Sequence, residues 1–111
     1  MHEMTIVANV LEIAHRQAAG AGAVRINRVV LEVGQLAGVE LDALRFCFAA
    51  ARGGLSAAAE LDIRERPGCG RCPACGAVED VGELAAVCRA CGAVLEISGG
   101  RELSVLSLNV D

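Results

Sequence analysis

The chain has 111 residues, ten basic and fourteen acidic, and 54% of its positions are hydrophobic. That length holds one ordinary core and at most a small appendage, and the apolar content excludes a disordered chain. A net charge of −4, with every cation an Arg and only Phe46 and Phe48 as aromatics, argues against the basic footprint and stacking surface that nucleic acids demand.

From Met4 to Ala18 the residues Ile6, Val7, Val10, Leu11, Ile13 and Ala14 recur at three- and four-residue spacings, which predicts an amphipathic helix closed by Gly20 and Gly22. Val24 to Val33 predicts a strand. Its alternations Val24/Ile26 and Val29/Leu31/Val33 differ in parity, so the strand carries a bulge or is buried on both faces at the centre of a sheet. A turn from Gly34 to Gly38 leads to a second helix with the stripe Leu41, Leu44, Phe48 and Ala51, ended by Gly53 and Gly54. Ala59, Leu61 and Ile63 alternate with Glu60, Asp62 and Arg64, a strand with one wet face. Leu103 to Val110 predicts the third strand.

The longest apolar run, Phe46 to Ala51, is far too short to span a membrane, and no basic region precedes an apolar one at the N-terminus. The expected location is the cytoplasm, where six cysteines stay reduced. Five of them lie between Cys69 and Cys91, which favours metal ligation over disulfides. The expected fold class is therefore α/β: two helices packed on a three-stranded sheet, with a cysteine-bearing subdomain inserted before the last strand.

The insertion contains an internal repeat. Cys72-Pro-Ala-Cys75-Gly-Ala-Val78 and Cys88-Arg-Ala-Cys91-Gly-Ala-Val94 differ only at Pro73 versus Arg89. Two intervening residues let both sulfurs of a unit face one point, and Gly76 and Gly92 permit the turn beneath them. Together Cys72, Cys75, Cys88 and Cys91 make a closed four-thiolate site, which is the form of structural rather than catalytic zinc. The insertion is too small to bury a core unaided, so the metal contributes to its folding. Cys69 offers the same spacing with Cys72, but Cys72 is followed by Pro73, which has no amide to offer a thiolate; Cys69 is read as a spare or exchanging thiol. Cys47, between Phe46 and Phe48, is read as a small buried hydrophobe, and His15 as a solvated side chain of the first helix.

The chain begins Met1-His2-Glu3. The Met1 α-amine, the His2 backbone nitrogen and the His2 imidazole can close adjacent chelate rings around one cation. Nickel(II) and copper(II) favour such nitrogen-rich tetragonal sets. The fourth donor would be the Glu3 amide nitrogen or a carboxylate of Glu3 or Glu40. Protons compete for the amine and imidazole, so affinity falls on acidification.

Met1-His2-Glu3, the Gly34-Gln-Leu-Ala-Gly38-Val39-Glu40 turn, the double Cys-x-x-Cys-Gly knuckle and Gly100-Arg101-Glu102-Leu103 before the last strand together resemble the HypA/HybF family of hydrogenase nickel-incorporation proteins over the whole chain. The resemblance implies a nickel metallochaperone with a structural zinc ribbon that works with the GTPase HypB to supply the hydrogenase large subunit during [NiFe]-hydrogenase maturation. Urease maturation proteins form a further partner class. It implies His2 as the essential nickel ligand, Met1 as the source of the amine, Glu3 as the neighbouring acid and Glu40 as an acid near the nickel. Cys72, Cys75, Cys88 and Cys91 match the zinc ligands, while Cys69 departs from the family pattern. On this reading residues 1–66 with 101–111 form the nickel-binding domain and 67–100 the ribbon, in a monomer or homodimer that contacts neither nucleic acid nor membrane.

No catalytic constellation is found. A phosphate loop ending in Lys-Ser/Thr is impossible without lysine, and no Ser or Cys is paired by spacing with a His base. The expectation is a protein that is not an enzyme, holding Ni(II) as cargo and Zn(II) as structure. The competing reading is a zinc-ribbon interaction module without a nickel role, in which Arg64, Arg66 and Arg71 form a local basic patch. Iron in the thiolate cage would instead make a coloured electron carrier.

Overall fold

The computed structural model describes residues 2–111. In chain order it contains α1 (Glu3–Gly20), β1 (Ile26–Gly34), α2 (Leu41–Ala51), a 3-10 turn (Gly54–Ser56), β2 (Glu60–Arg66), β3 (Cys69–Arg71), β4 (Val78–Asp80), β5 (Glu96–Gly99) and β6 (Leu103–Val110). The strands form two three-stranded sheets, ordered β2-β1-β6 and β4-β3-β5. The chain resolves into two compact units, residues 2–32, Val39–Arg64 and Ser104–Asp111 in the first, and Val33–Gly38 with Glu65–Leu103 in the second. No described helix is long and apolar enough to cross a membrane.

In the first unit α1 buries Ile6, Val7, Val10, Leu11, Ala14 and Ala18. Ile13 falls off this stripe and stays 42% exposed. The helix ends in a Schellman pattern: Gly22 N–H donates to Ala19 O, Ala23 N–H to Ala18 O, and Gly22 takes the φ of +70° that the motif requires. α1 packs against α2. Of the α2 stripe, Leu44 and Phe48 are buried, Leu41 is half-buried and Ala51 exposed. Cys47 is only half-buried, so it is no core hydrophobe. The sheet contributes Ile26, Val29 and Leu31 to the same core.

β1 is the central strand. Asn27 and Arg28 both lie outside the core between buried Ile26 and Val29, so the parity change marks a local irregularity and not burial of both faces. β6 runs antiparallel to β1, since Asp111 N–H donates to Arg25 O at one end and Gly34 N–H to Glu102 O at the other. β2 runs parallel to β1: Arg28 pairs with Glu60, and Gln35 N–H donates to Arg66 O further along both strands. The helix α2 is the crossover that a parallel pair needs.

His15 is half-buried and not simply a solvated side chain. Its Nε2 lies 2.8 Å from Ser56 Oγ, and Ser56 is fully buried, so the imidazole ties α1 to the 3-10 turn. Nothing in the local pattern around Gly54–Ser56 announces that turn.

The second unit has a small core of Cys72, Val81, Cys88 and Leu95, flanked by Leu36, Ala77, Ala86, Ala93 and Ile97. β3 pairs antiparallel with β4 and with β5; these strands of three or four residues are too short to show a period in sequence. Three glycines pack backbone on backbone here. A Cβ on Gly34 would overlap the Gly100 carbonyl, and one on Gly100, at φ +105°, would sit 2.6 Å from Gly68 Cα. Gly34→Ala is therefore expected to destabilise this unit by more than about 3 kcal/mol, because backbone cannot yield as a side chain can. Thermal melts check this against Gly82→Ala, whose new methyl would meet nothing within 4 Å; equal melting of the two would contradict it.

Candidate metal centres

The repeated sequence folds into two matching turns. Cys72 N–H donates to Ala77 O at 2.8 Å and Gly76 N–H to Cys72 O at 2.9 Å; the second turn repeats this with Cys88 to Ala93 at 2.7 Å and Gly92 to Cys88 at 2.8 Å. Gly76 and Gly92 supply φ values of +77° and +79°, which any residue with a Cβ adopts only at a cost. Arg71 pairs with Val78 across the first turn and Val87 with Val94 across the second. Each turn presents one buried sulfur (Cys72, Cys88) and one exposed sulfur (Cys75, Cys91).

The four sulfurs lie within 4.8 Å of one another. Cys72 Sγ is 3.4 Å from Cys91 Sγ, and Cys75 Sγ is 3.7 Å from Cys88 Sγ. A tetrahedral zinc with Zn–S bonds of about 2.3 Å needs sulfur–sulfur edges of about 3.8 Å, so the donor set and its spacing fit a four-coordinate thiolate metal. Cys69 is not a member of the group. It sits on β3 opposite Asp80 and Gly99, half-buried.

Electrostatics in the cage favour a cation. The Cys75 N–H, 3.4 Å from Cys72 Sγ, leads the influences that pull the Cys72 thiol down to about 6. The Ala93 N–H likewise favours a Cys91 thiolate, but Cys72, burial, Cys88 and Cys75 outweigh it and push Cys91 up to about 12. Cys75 is also raised, since Cys72 and Cys88 oppose the help of the Ala77 N–H. Thiolates crowded this closely ionise together only with a positive ion among them. Loading a divalent metal near pH 7 is thus expected to expel protons from Cys75 and Cys91. Affinity should rise with pH, and should fall more steeply below about pH 6, where Cys72 also takes a proton. Titrations in two buffers of different ionisation enthalpy measure the release; proton-free binding would contradict it.

The second cluster lies where the two helices of the first unit begin. His2 occupies the N-cap of α1 in an extended conformation, and its side chain makes no capping hydrogen bond; it is exposed. Glu3 is the first helical residue, so its N–H has no acceptor within the helix. Glu3 Oε2 accepts the Glu40 N–H at 3.3 Å, which brings together two residues 37 positions apart. The Glu40 carboxylate is turned the other way. It caps α2, accepting from Asp42 N–H at 3.2 Å and Ala43 N–H at 2.6 Å. The Met1 amine lies outside the described residues, and among the described residues the four cysteines are the one group of three or more donors that converges.

In the basic patch of the competing reading Arg64 is paired with an acid. The Arg64 guanidinium holds Asp62 through two hydrogen bonds of 3.2 and 3.0 Å; this contact lowers the Asp62 carboxyl and raises Arg64.

Residues 1–110 match the family model described as "Hydrogenase/urease nickel incorporation, metallochaperone, hypA". The chain is 48% identical over 113 residues to the hydrogenase maturation factor HypA of Chlorobaculum tepidum, and 43% identical over 113 residues to that of Geobacter sulfurreducens, in both cases covering all of this chain and all of the relative. Its fold is similar to the solution structure of the Ni metallochaperone HypA from Helicobacter pylori, with a TM-score of 0.71 at 26% identity, covering 99% of this chain and 97% of that one.

Proposed function

This chain belongs to the HypA family of hydrogenase and urease nickel-incorporation metallochaperones, and from that membership we propose that it binds Ni(II) at Met1-His2-Glu3 and delivers it during [NiFe]-hydrogenase maturation. The observation that carries this reading is His2. A histidine at a helix N-cap whose imidazole caps nothing is free to bind, beside a helix-start amide that has no acceptor within the helix and a carboxylate held in place by Glu40 N–H. The Met1 amine, the His2 imidazole and backbone nitrogen, and the Glu3 amide or carboxylate form the donor set. Such nitrogen-rich sets suit nickel better than zinc.

The position also tempers affinity. A cation at the start of α1 meets the positive end of the helix dipole, and the acids Glu3, Glu40 and Asp42 at the helix starts offset that repulsion. Cargo held this way can be surrendered. The recipients are the GTPase HypB and the hydrogenase large subunit, with urease maturation proteins as a further class. The role is carriage, not catalysis.

In the same reading the cage of Cys72, Cys75, Cys88 and Cys91 holds zinc. Bound there, zinc supplies cross-linking of the two turns and charge neutralisation, with no open position for substrate. Residues 1–66 with 101–111 serve the cargo and 67–100 serve the cage. Isothermal nickel titration of the untagged chain, with elemental analysis for zinc, tests the division: one nickel and one zinc per chain are expected, and removal of the nickel should leave the zinc. A chain that takes up zinc but shows no preference for nickel would leave only a zinc-ribbon module.

A further inference from the structure

The two outer strands of the sheet β2-β1-β6 present opposite kinds of edge. β2 carries Glu60, Asp62, Arg64, Glu65 and Arg66 among its seven residues, and charges at this density keep an open edge from pairing with another chain. β6 reads Leu-Ser-Val-Leu-Ser-Leu-Asn-Val, with neither a charge nor a proline. Among the described residues, no backbone hydrogen bond outside the sheet's own ladder involves residues 103–110. The apolar side chains of β6 are also incompletely covered. Leu103, Val105, Leu108 and Val110 are only half-buried, and the last three share a largely apolar groove of about 440 Å³ with Ile13 and Gln17 of α1.

The backbone of β6 specifies what fits this edge. Glu102 O accepts from Gly34 N–H, and Asp111 exchanges bonds with Arg25, so both ends direct their groups at β1. Successive strand residues alternate between the two edges. Counted inward from either end, Leu103 and Val105, and likewise Val110 and Leu108, direct their N–H and C=O at the open edge. The burial pattern of β6 is a palindrome, because Leu106 and Ser107 are both exposed where the alternation changes parity. Opposed residues of an antiparallel pair share a face. A second β6, turned about a two-fold axis between residues 106 and 107, therefore sets Leu103 against Val110 and Val105 against Leu108 on the half-buried face, and Ser104 against Asn109 on the exposed one. A regular strand of eight residues would not match itself this way, since its two ends would face opposite sides.

We infer that β6 is a dimer interface, pairing antiparallel with β6 of a second copy of this chain and joining two three-stranded sheets into one. The contact is isologous and self-complementary, as a two-fold dimer requires, and it lays the partner's apolar face beside the α1 groove. Sedimentation equilibrium of the untagged chain should give a dimer at about 100 µM that dissociates on dilution toward about 1 µM. The double variant Leu106→Lys/Ser107→Lys, at two exposed positions, sets lysine against lysine across the axis and should weaken the dimer about tenfold or more. Ala49→Lys/Ala50→Lys adds the same charge on the exposed face of α2 and should leave the dimer intact. Amide exchange followed by NMR supplies a second readout. In wild type at high concentration the Leu103, Val105, Leu108 and Val110 amides should exchange slowly, and in the β6 lysine variant quickly. Ser104 and Asn109, directed at β1, should stay slow in both, and equal far-UV circular dichroism establishes that all the variants are folded. A dimer whose outward amides exchange freely, or one that resists the β6 lysines as well as the α2 lysines, uses another face and overturns the inference. A wild type that stays monomeric at about 100 µM also overturns it, leaving the edge to a strand of another protein.

Discussion

Cys72→Ser is expected to abolish stoichiometric metal in the four-thiolate cage and to unfold the second unit. Cys72 is 1% exposed and is itself one of the four residues of that unit's core, with Val81, Cys88 and Leu95. So few buried side chains cannot offset the ordering of a segment this long, whereas structural zinc contributes about 10–16 kcal/mol in small domains. The damage should stay local. The first unit draws its core from Ile6, Val7, Val10, Leu11, Leu44 and Phe48, none of which depends on a sulfur. Elemental analysis and limited proteolysis read both effects: metal lost, cleavage confined to the second unit, Val33–Gly38 and Glu65–Leu103, and α1 and α2 protected. Cys75→Ser should be milder, because Cys75 is exposed and water can take its place while the buried pair stays. A Cys72→Ser chain that retains full metal would show that the cage does not organise the fold.

His2→Ala is expected to lower nickel affinity at least about a hundredfold, since it removes the imidazole that completes the proposed chelate with the amine. The helix should survive. His2 contributes its backbone carbonyl to Ile6 N–H and no side-chain cap, so the substitution takes away a donor without unfolding α1. Acetylation of the α-amine should have a comparable effect. Zinc content should be unchanged in both cases, as the cage uses none of these atoms. Nickel titration of wild type, His2→Ala and the acetylated chain decides the matter; comparable binding in all three would place the cargo elsewhere.

The two candidate centres differ in how far sequence alone reveals them. A Cys-x-x-Cys-Gly turn is local: the backbone hydrogen bonds that close it run between residues 72 and 77 or between 88 and 93, so spacing specifies the geometry. What spacing leaves open is whether the two turns face one another and whether Cys69 joins them. The helix starts behave differently. The Glu3 contact with Glu40 and the His15 contact with Ser56 join residues far apart in the chain, and a lone acid or histidine carries no mark of a distant partner. Glu40 would have been recognisable as a cap from its place just before Leu41, Leu44 and Phe48 had glutamate been a commoner N-cap residue.

By itself the amino-acid order determined the periodic elements, α1, β1, α2, β2 and β6, because a helix or strand is selected by which residues recur on one face. It also determined the chemistry of the sulfur cage, because four thiols in two glycine-closed turns suit few ions. Only the tertiary structure decided that Gly34, Gly68 and Gly100 touch backbone to backbone, that Val33–Gly38 groups with Glu65–Leu103, and that Glu40 steadies its neighbour and caps a helix. Each of these depends on residues that meet only after the chain has folded, and contact across tens of residues leaves no periodic trace to read.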